Sequence, residues 1–393
     1  MSIKTVQFLF GCLFLTTATL KAEEPFGVPP LLTTGDGKTV TTAEQWEQTR
    51  RPEILDLFQK HVYGRRVVER PESLRFVPAG ADKPFPEMKA TRKLIDIRYE
   101  GPGGAGSIRV NAFIPVQEKP APAFLLICNR PAAENIDPER KVKSPFWPVE
   151  EIVGRGYAAI AFFNGDVAPD RYNGFTNGVH AIFQEPSKRN GESWGTLSAW
   201  AWGASRVMDW IETEPTLDKH HVAVIGHSRG GKTALWCGAT DPRFALTISN
   251  DSGCGGAKLN RLDLPKSESI ARITKAFPHW FCTNFNAFAG REKELPLDMH
   301  QLVALMAPRL VYIASASKDD WAGQPGEFQS ARLASPAWAL YGKKGLVGTT
   351  FPPPDTPLQE GCVGYHLRSG IHNLTPYDWN RYMDFTDRHG WKR

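Results

Sequence analysis

The stretch Val222 to Trp236, VAVIGHSRGGKTALW, sets Ser228 between Gly226 and Gly230 directly after a run of β-branched residues. Small residues two places to either side allow a tight strand-to-helix turn that holds the hydroxyl exposed, as G-x-S-x-G turns do. A serine that merely capped the following helix would need no glycine on both flanks, so a nucleophile is the favoured reading. A serine hydroxyl attacks at neutral pH only with a base to take its proton and an acid to orient that base. Downstream lie His279, His300, His366, His372 and His389. His372, in HLRSGIHNLTPYDW, follows a Gly-bearing loop just before the last helical pattern and is the expected base. His366 fits a packing role, and His389 falls on the terminal helix DFTDRHG. For the acid, Asp319 and Asp320 follow the apolar run RLVYIASAS, and Asp251 follows the run before it. Solvated turn aspartates are common at such places. Asp319 is preferred for its place after the later strand, with Asp251 as the alternative.

Such side chains need a scaffold. The apolar runs AFLLICN, YAAIAFFN, HVAVIGH, FALTISN and RLVYIASAS alternate with helical patterns. That alternation predicts a mostly parallel sheet covered by helices on both faces, a three-layer α/β sandwich. In α/β-hydrolases the chain order is serine, acid, histidine, the order found here. TRKLIDIRYEGPGGAGSIRVNAFIPV, from Thr91, predicts an antiparallel hairpin. TAEQWEQTRRPEILDLFQKHVYG has helical spacing with Thr42 as its cap. Residues 23–90 are therefore expected to wrap a catalytic domain spanning 91–393. Gly253 to His300 and Phe351 to Gly364 are the expected insertions over the strand ends, where ligands bind in open α/β sheets.

With 393 residues, 41% of them hydrophobic, the chain can bury a full core. Lys4, the apolar stretch Val6 to Leu15 and a small-residue end at Ala22 predict a cleavable signal peptide over residues 1–22, hence a secreted or periplasmic protein. The apolar run is too short to span a bilayer. Removing Lys4 and Lys21, with no acid, lowers the net charge from +5 to +3, which argues against a nucleic-acid partner. Five cysteines remain, Cys128, Cys237, Cys254, Cys282 and Cys362, so at least one thiol stays free and at most two bridges form. Most of the twelve tryptophans are expected in the core rather than as sugar platforms. No HExxH, clustered Cys/His or dinucleotide loop occurs, so no metal or organic cofactor is expected. No membrane partner is expected, and the chain should be a monomer.

Six ordered blocks, ESWGTLSAWAWGASRVMDWI, GHSRGGKTALW, SNDSGCGGA, FPHWFCTNF, SASKDDWAGQPGEF and RSGIHNLTPYDWNRYMDF, together resemble the glucuronoyl esterases of carbohydrate esterase family fifteen, the bacterial members in particular. The resemblance runs from about residue 90 to the C-terminus. It implies an α/β-hydrolase that cleaves esters of (4-O-methyl)-glucuronic acid, as in glucuronoxylan-lignin linkages, without a cofactor. By motif, Ser228 would be the nucleophile, His372 the base, and Arg229 the oxyanion donor through its backbone N–H and its guanidinium. Lys232 would hydrogen-bond sugar hydroxyls, Trp321 would flank the uronate, and Glu268 would be an acidic substrate contact. Two departures stand out: fungal members carry glutamate where this chain has Asp251, and GIHN replaces the commoner GGHD around His372. A carbohydrate acetyl esterase is the alternative on the same fold. A non-enzymatic sugar-binding scaffold would lack a triad member, and none is missing.

Overall fold

The computed structural model describes residues 25–392, so the signal peptide expected over 1–22 lies outside the described residues. Ten strands form one sheet: β1 (Arg75–Pro78), β2 (Lys83–Phe85), β3 (Ala90–Gly101), β4 (Gly104–Pro115), β5 (Ala121–Cys128), β6 (Ala158–Phe163), β7 (Leu217–His227), β8 (Leu246–Asn250), β9 (Leu310–Ala316) and β10 (Val363–Arg368). Their order is β1-β3-β4-β6-β5-β7-β8-β9-β10, with β2 pairing the start of β3. From β6 through β10 every neighbouring pair is parallel, while β1 to β4 are antiparallel to their partners.

The central parallel strands β5 and β6 are apolar throughout because both faces are covered. All eight residues of β5 are buried. On β7, Val222 and Val224 enter one core while Ala223 and Ile225 enter the other, the two-residue period of a strand. One face carries the helices Thr196–Ile211, buried along its whole length, and Arg229–Thr240; the other carries Val149–Gly154 and Pro376–Arg388. A side chain at Gly203 would place its Cβ 2.5 Å from Val167 Cγ2, so glycine there sets the close seating of the long helix. Eleven of the twelve tryptophans are buried; Trp321 is the exception.

Thr42 caps the N-terminal helical run by accepting from Gln45 N, and the run continues to Tyr63 while widening into π-helical turns at Trp46–Arg50 and Gln59–Tyr63. Its apolar face joins the main core, and Tyr63 stacks on Trp236 at 4.4 Å. Three strands are not announced by apolar runs. β1 and β2 are short edge pieces holding Pro78 and Pro84, which sheets tolerate only at edges. β10 begins inside the segment expected as an insertion, and its polar residues are buried because groups on the last helix and on β9 pair with them: His366 meets Asp378 at 2.8 Å and Tyr312 Oη at 3.1 Å. All five cysteines in the described residues are free, so neither possible bridge forms. Among the described residues, no helix is long and apolar enough to cross a membrane.

Candidate active site

Ser228 stands where β7 meets the helix Arg229–Thr240, at φ 58° and ψ −123°. A non-glycine residue in that region is strained, and the surrounding bonds hold it there. Its N–H donates to Asn250 O at 2.8 Å, and its carbonyl accepts from Gly231 N and Lys232 N at 2.9 and 3.1 Å. Gly226 is required by clearance: a Cβ there would lie 2.0 Å from Gly230 O. The positive φ belongs to Ser228 itself, and neither flanking glycine shares it.

The loop after β10 brings His372 beside this turn, its ring 4.4 Å from that of His227, the residue before Ser228. His372 Nδ1 lies 2.5 Å from Asp319 Oδ2. A carboxylate only accepts, so Nδ1 carries the proton and Nε2 is left as the basic nitrogen. Asp319 follows β9 and is buried. Arg368 Nη2 donates to Ile371 O and Asn373 O at 2.8 and 3.0 Å, bracketing His372, and Arg130 Nη2 reaches Asn373 Oδ1 at 2.8 Å. Asp378 anchors Arg368 in turn at 3.0 Å.

Asp251 follows β8 at φ 47° and is buried. One of its oxygens accepts from Asn373 N at 3.3 Å, and the other has no partner. Burial pushes its pKa well above the usual carboxylate range, helped by the charges of Glu327, Asp319 and Asp378. Asp320 is exposed. Ligand atoms of Asp251, Asp319 and His372 lie within 4.8 Å of one another, a spacing that could hold a metal ion. Here the imidazole N–H of His372 occupies Asp319, and burial favours the neutral form of Asp251, which suits proton relay better than a cation cage. The other histidines are elsewhere: His300 bonds Pro29 O, His366 is buried against Asp378, and His389 reaches Gly361 O.

On the other side of Ser228, Arg229 pairs with Asp170 and lies over the Trp280 ring at 4.8 Å. Asp170 was not among the sequence candidates. Lys232 corrects an expectation. Rather than presenting free donors to a sugar, its buried ammonium spends all three N–H groups on Ser252 O, Cys254 O at 2.8 Å and Glu268 Oε2 at 2.7 Å. Glu268 is buried, accepts from Cys254 N at 2.9 Å, and takes the Trp321 indole N–H on Oε1 at 2.5 Å. Lys232, Glu268 and Trp321 thus form one chain that ends at the exposed indole. Beneath it, Glu327 accepts from Ser252 N and Gly253 N at 2.8 and 2.9 Å and from Ser315 Oγ at 2.6 Å; burial pushes it up to about 7. A cavity of about 880 Å³ lies at the opposite, N-terminal ends of β5 and β7 and holds none of these residues.

A family model described as "Glucuronyl esterase, fungi" matches residues 143–342. The chain is 36% identical over 399 residues to a carbohydrate esterase of an unknown prokaryotic organism, covering 94% of this chain and 91% of that one. A solved glucuronoyl esterase from Solibacter usitatus superposes with a TM-score of 0.85 at 36% identity, covering 92% of this chain and 97% of its own. A promiscuous esterase of carbohydrate esterase family fifteen from a marine bacterial metagenome gives a TM-score of 0.83 at 35% identity, covering 92% and 96%.

Proposed function

The chain belongs to the glucuronoyl esterases of carbohydrate esterase family fifteen, and from that premise we propose that it hydrolyses esters of (4-O-methyl)-glucuronic acid, such as those joining glucuronoxylan to lignin alcohols. Ser228 Oγ bonds to the ester carbonyl carbon while His372 Nε2 takes its proton. Asp319, accepting from Nδ1, stabilises the imidazolium that forms. Arg229 donates to the carbonyl oxygen as it becomes an oxyanion, usually the largest electrostatic contribution. Collapse expels the alcohol, which takes the proton from His372. Water, deprotonated by the same nitrogen, then releases the uronic acid and restores Ser228.

The observation that supports this reading most is the 2.5 Å contact of His372 Nδ1 with Asp319 beside a serine held at positive φ. For the sugar side, the support is Glu268 and Trp321. Lys232 fixes Glu268, and Glu268 in turn holds the exposed Trp321 indole, an apolar ring suited to packing against a pyranose. The test compares kcat/KM for benzyl glucuronate and 4-nitrophenyl acetate in wild type and in Ser228→Ala. A preference for the glucuronate that vanishes with the serine is expected; a preference for the acetate would assign the chain to acetyl ester cleavage. Export is part of the proposal, with the mature chain starting near Glu23, and N-terminal sequencing of secreted material checks it.

A further inference from the structure

The carboxylate of Asp170 gathers three donors, one from the start of the helix Arg229–Thr240 and two from the loop holding His279 and Trp280. Its Oδ2 accepts from Arg229 Nη1, and its Oδ1 accepts from Trp280 Nε1 at 2.8 Å and from His279 Nε2 at 3.0 Å. His279 donates from Nε2, and its Nδ1 is buried with no partner. Burial pushes Asp170 toward the neutral form, but the His279 hydrogen bond and the Arg229 charge outweigh it, and its pKa ends below the usual range. The arginine is fixed on a second side as well: Trp280 and Phe277, stacked on each other at 3.7 Å, carry the guanidinium at 4.8 and 5.3 Å. What this leaves is specific. Arg229 Nε is buried and has no protein partner, one residue after the nucleophile.

We propose that Asp170 is a positioning residue for ester cleavage, holding the Arg229 guanidinium one residue after the nucleophile, where it serves the oxyanion; this rests on the hydrolase reading above. An arginine side chain has several rotatable bonds, and a free one would reach the same place only part of the time. Asp170 sets that geometry before the substrate arrives, which is where preorganised donors gain their effect. The segment carrying it, VAPDRYNG, reads by itself as an ordinary polar loop.

A purely structural role would tie the two loops together whatever residue stood at 229, so a double-mutant cycle separates the two cases. Arg229→Ala is expected to lower kcat for benzyl glucuronate by roughly 10²-fold. Asp170→Asn, which keeps the size but loses the charge, is expected to lower kcat by about tenfold or more with KM nearly unchanged. In the Arg229→Ala background, Asp170→Asn should cost less than about twofold, since it acts through that side chain. Asp170→Glu keeps the charge and displaces it by one methylene; it should lower kcat less than Asp170→Asn, with the same dependence on Arg229. It decides the matter if the asparagine variant does not fold. An equal loss from the Asp170 variants with and without Arg229 would overturn the proposal while leaving the hydrolase reading intact. Wild-type turnover in Ser228→Ala would overturn the hydrolase reading itself.

Discussion

The loops that follow β8 and β9 leave neighbouring parallel strands, and each carries an aspartate within 4.8 Å of the same histidine, yet they end in opposite chemistry. After β9, Asp319 accepts the Nδ1–H of His372 at 2.5 Å. After β8, Asp251 finds one backbone N–H at 3.3 Å, Arg368 no nearer than 4.0 Å, an empty second oxygen and three carboxylates nearby, and burial favours its neutral form. The β8 loop works for the other side of the site instead. Its carbonyls at Ser252 and Cys254 seat Lys232, and Cys254 N holds Glu268. Of the two carboxylates, only Asp319 is in hydrogen-bond contact with the histidine, although both lie close to it.

The comparison breaks most sharply at Asp319. Asp319→Asn replaces an acceptor with a group that can favour the wrong tautomer of His372, and kcat should fall by on the order of 10³ to 10⁴-fold. Asp251→Asn should cost less than about tenfold, because Asp251 accepts from Asn373 N and makes no hydrogen bond with His372. Steady-state rates on benzyl glucuronate in the two variants check this. The reverse order would move the orienting acid to the β8 loop.

Lys232→Ala probes what the β8 loop does instead. Without the ammonium, Glu268 is left buried with its ion pair gone, a change that commonly costs about 3 to 5 kcal/mol of stability. Glu268 and Trp321 would then lose their common anchor, and glucuronate esters should slow by roughly 10²-fold, the scale of a displacement of about an ångström. 4-Nitrophenyl acetate, which has no ring to orient, should slow less. Thermal melts with parallel kcat/KM on the two substrates make the test; equal losses on both would remove Lys232 from sugar recognition.

Five of the six parallel strands are legible as apolar runs because burial on both faces leaves a signal in composition alone. Ser228 is legible because its glycines are a local steric requirement. The rest depends on partners far along the chain. β10 hides its burial behind His366 and Arg368, which Asp378 satisfies from the last helix. Asp170 looks like a loop aspartate until Arg229, 59 residues away, folds against it. Lys232 illustrates the limit best: its type and position suggest a donor to a ligand, and only the carbonyls of Ser252 and Cys254 reveal that its protons are already engaged.

Glu327 ties the β8 loop to the end of β9 and gives the mildest test of their difference. It accepts from Ser252 and Gly253 N–H groups after β8 and from Ser315 Oγ on β9, and it is fully buried. Its pKa is raised by burial from 4.5 to about 7. Between those values the folded chain keeps a proton that the unfolded chain has released, so the stability this group contributes falls as pH rises from about 4.5 to 7 and then levels off. The change is up to about 3 kcal/mol at the usual free energy per pKa unit. Glu327→Gln has no proton to lose; its Oε1 can still accept from both backbone N–H groups, and its Nε2 can face Ser315 Oγ. The variant should therefore match wild type near pH 4.5 and be the more stable of the two at pH 7 to 8, with kcat changed by less than about threefold. Denaturant melts of both proteins across that range measure the difference. An unchanged slope would mean that Glu327 is ionised throughout and that the β8 loop and the end of β9 are joined by a charge rather than by a neutral acid.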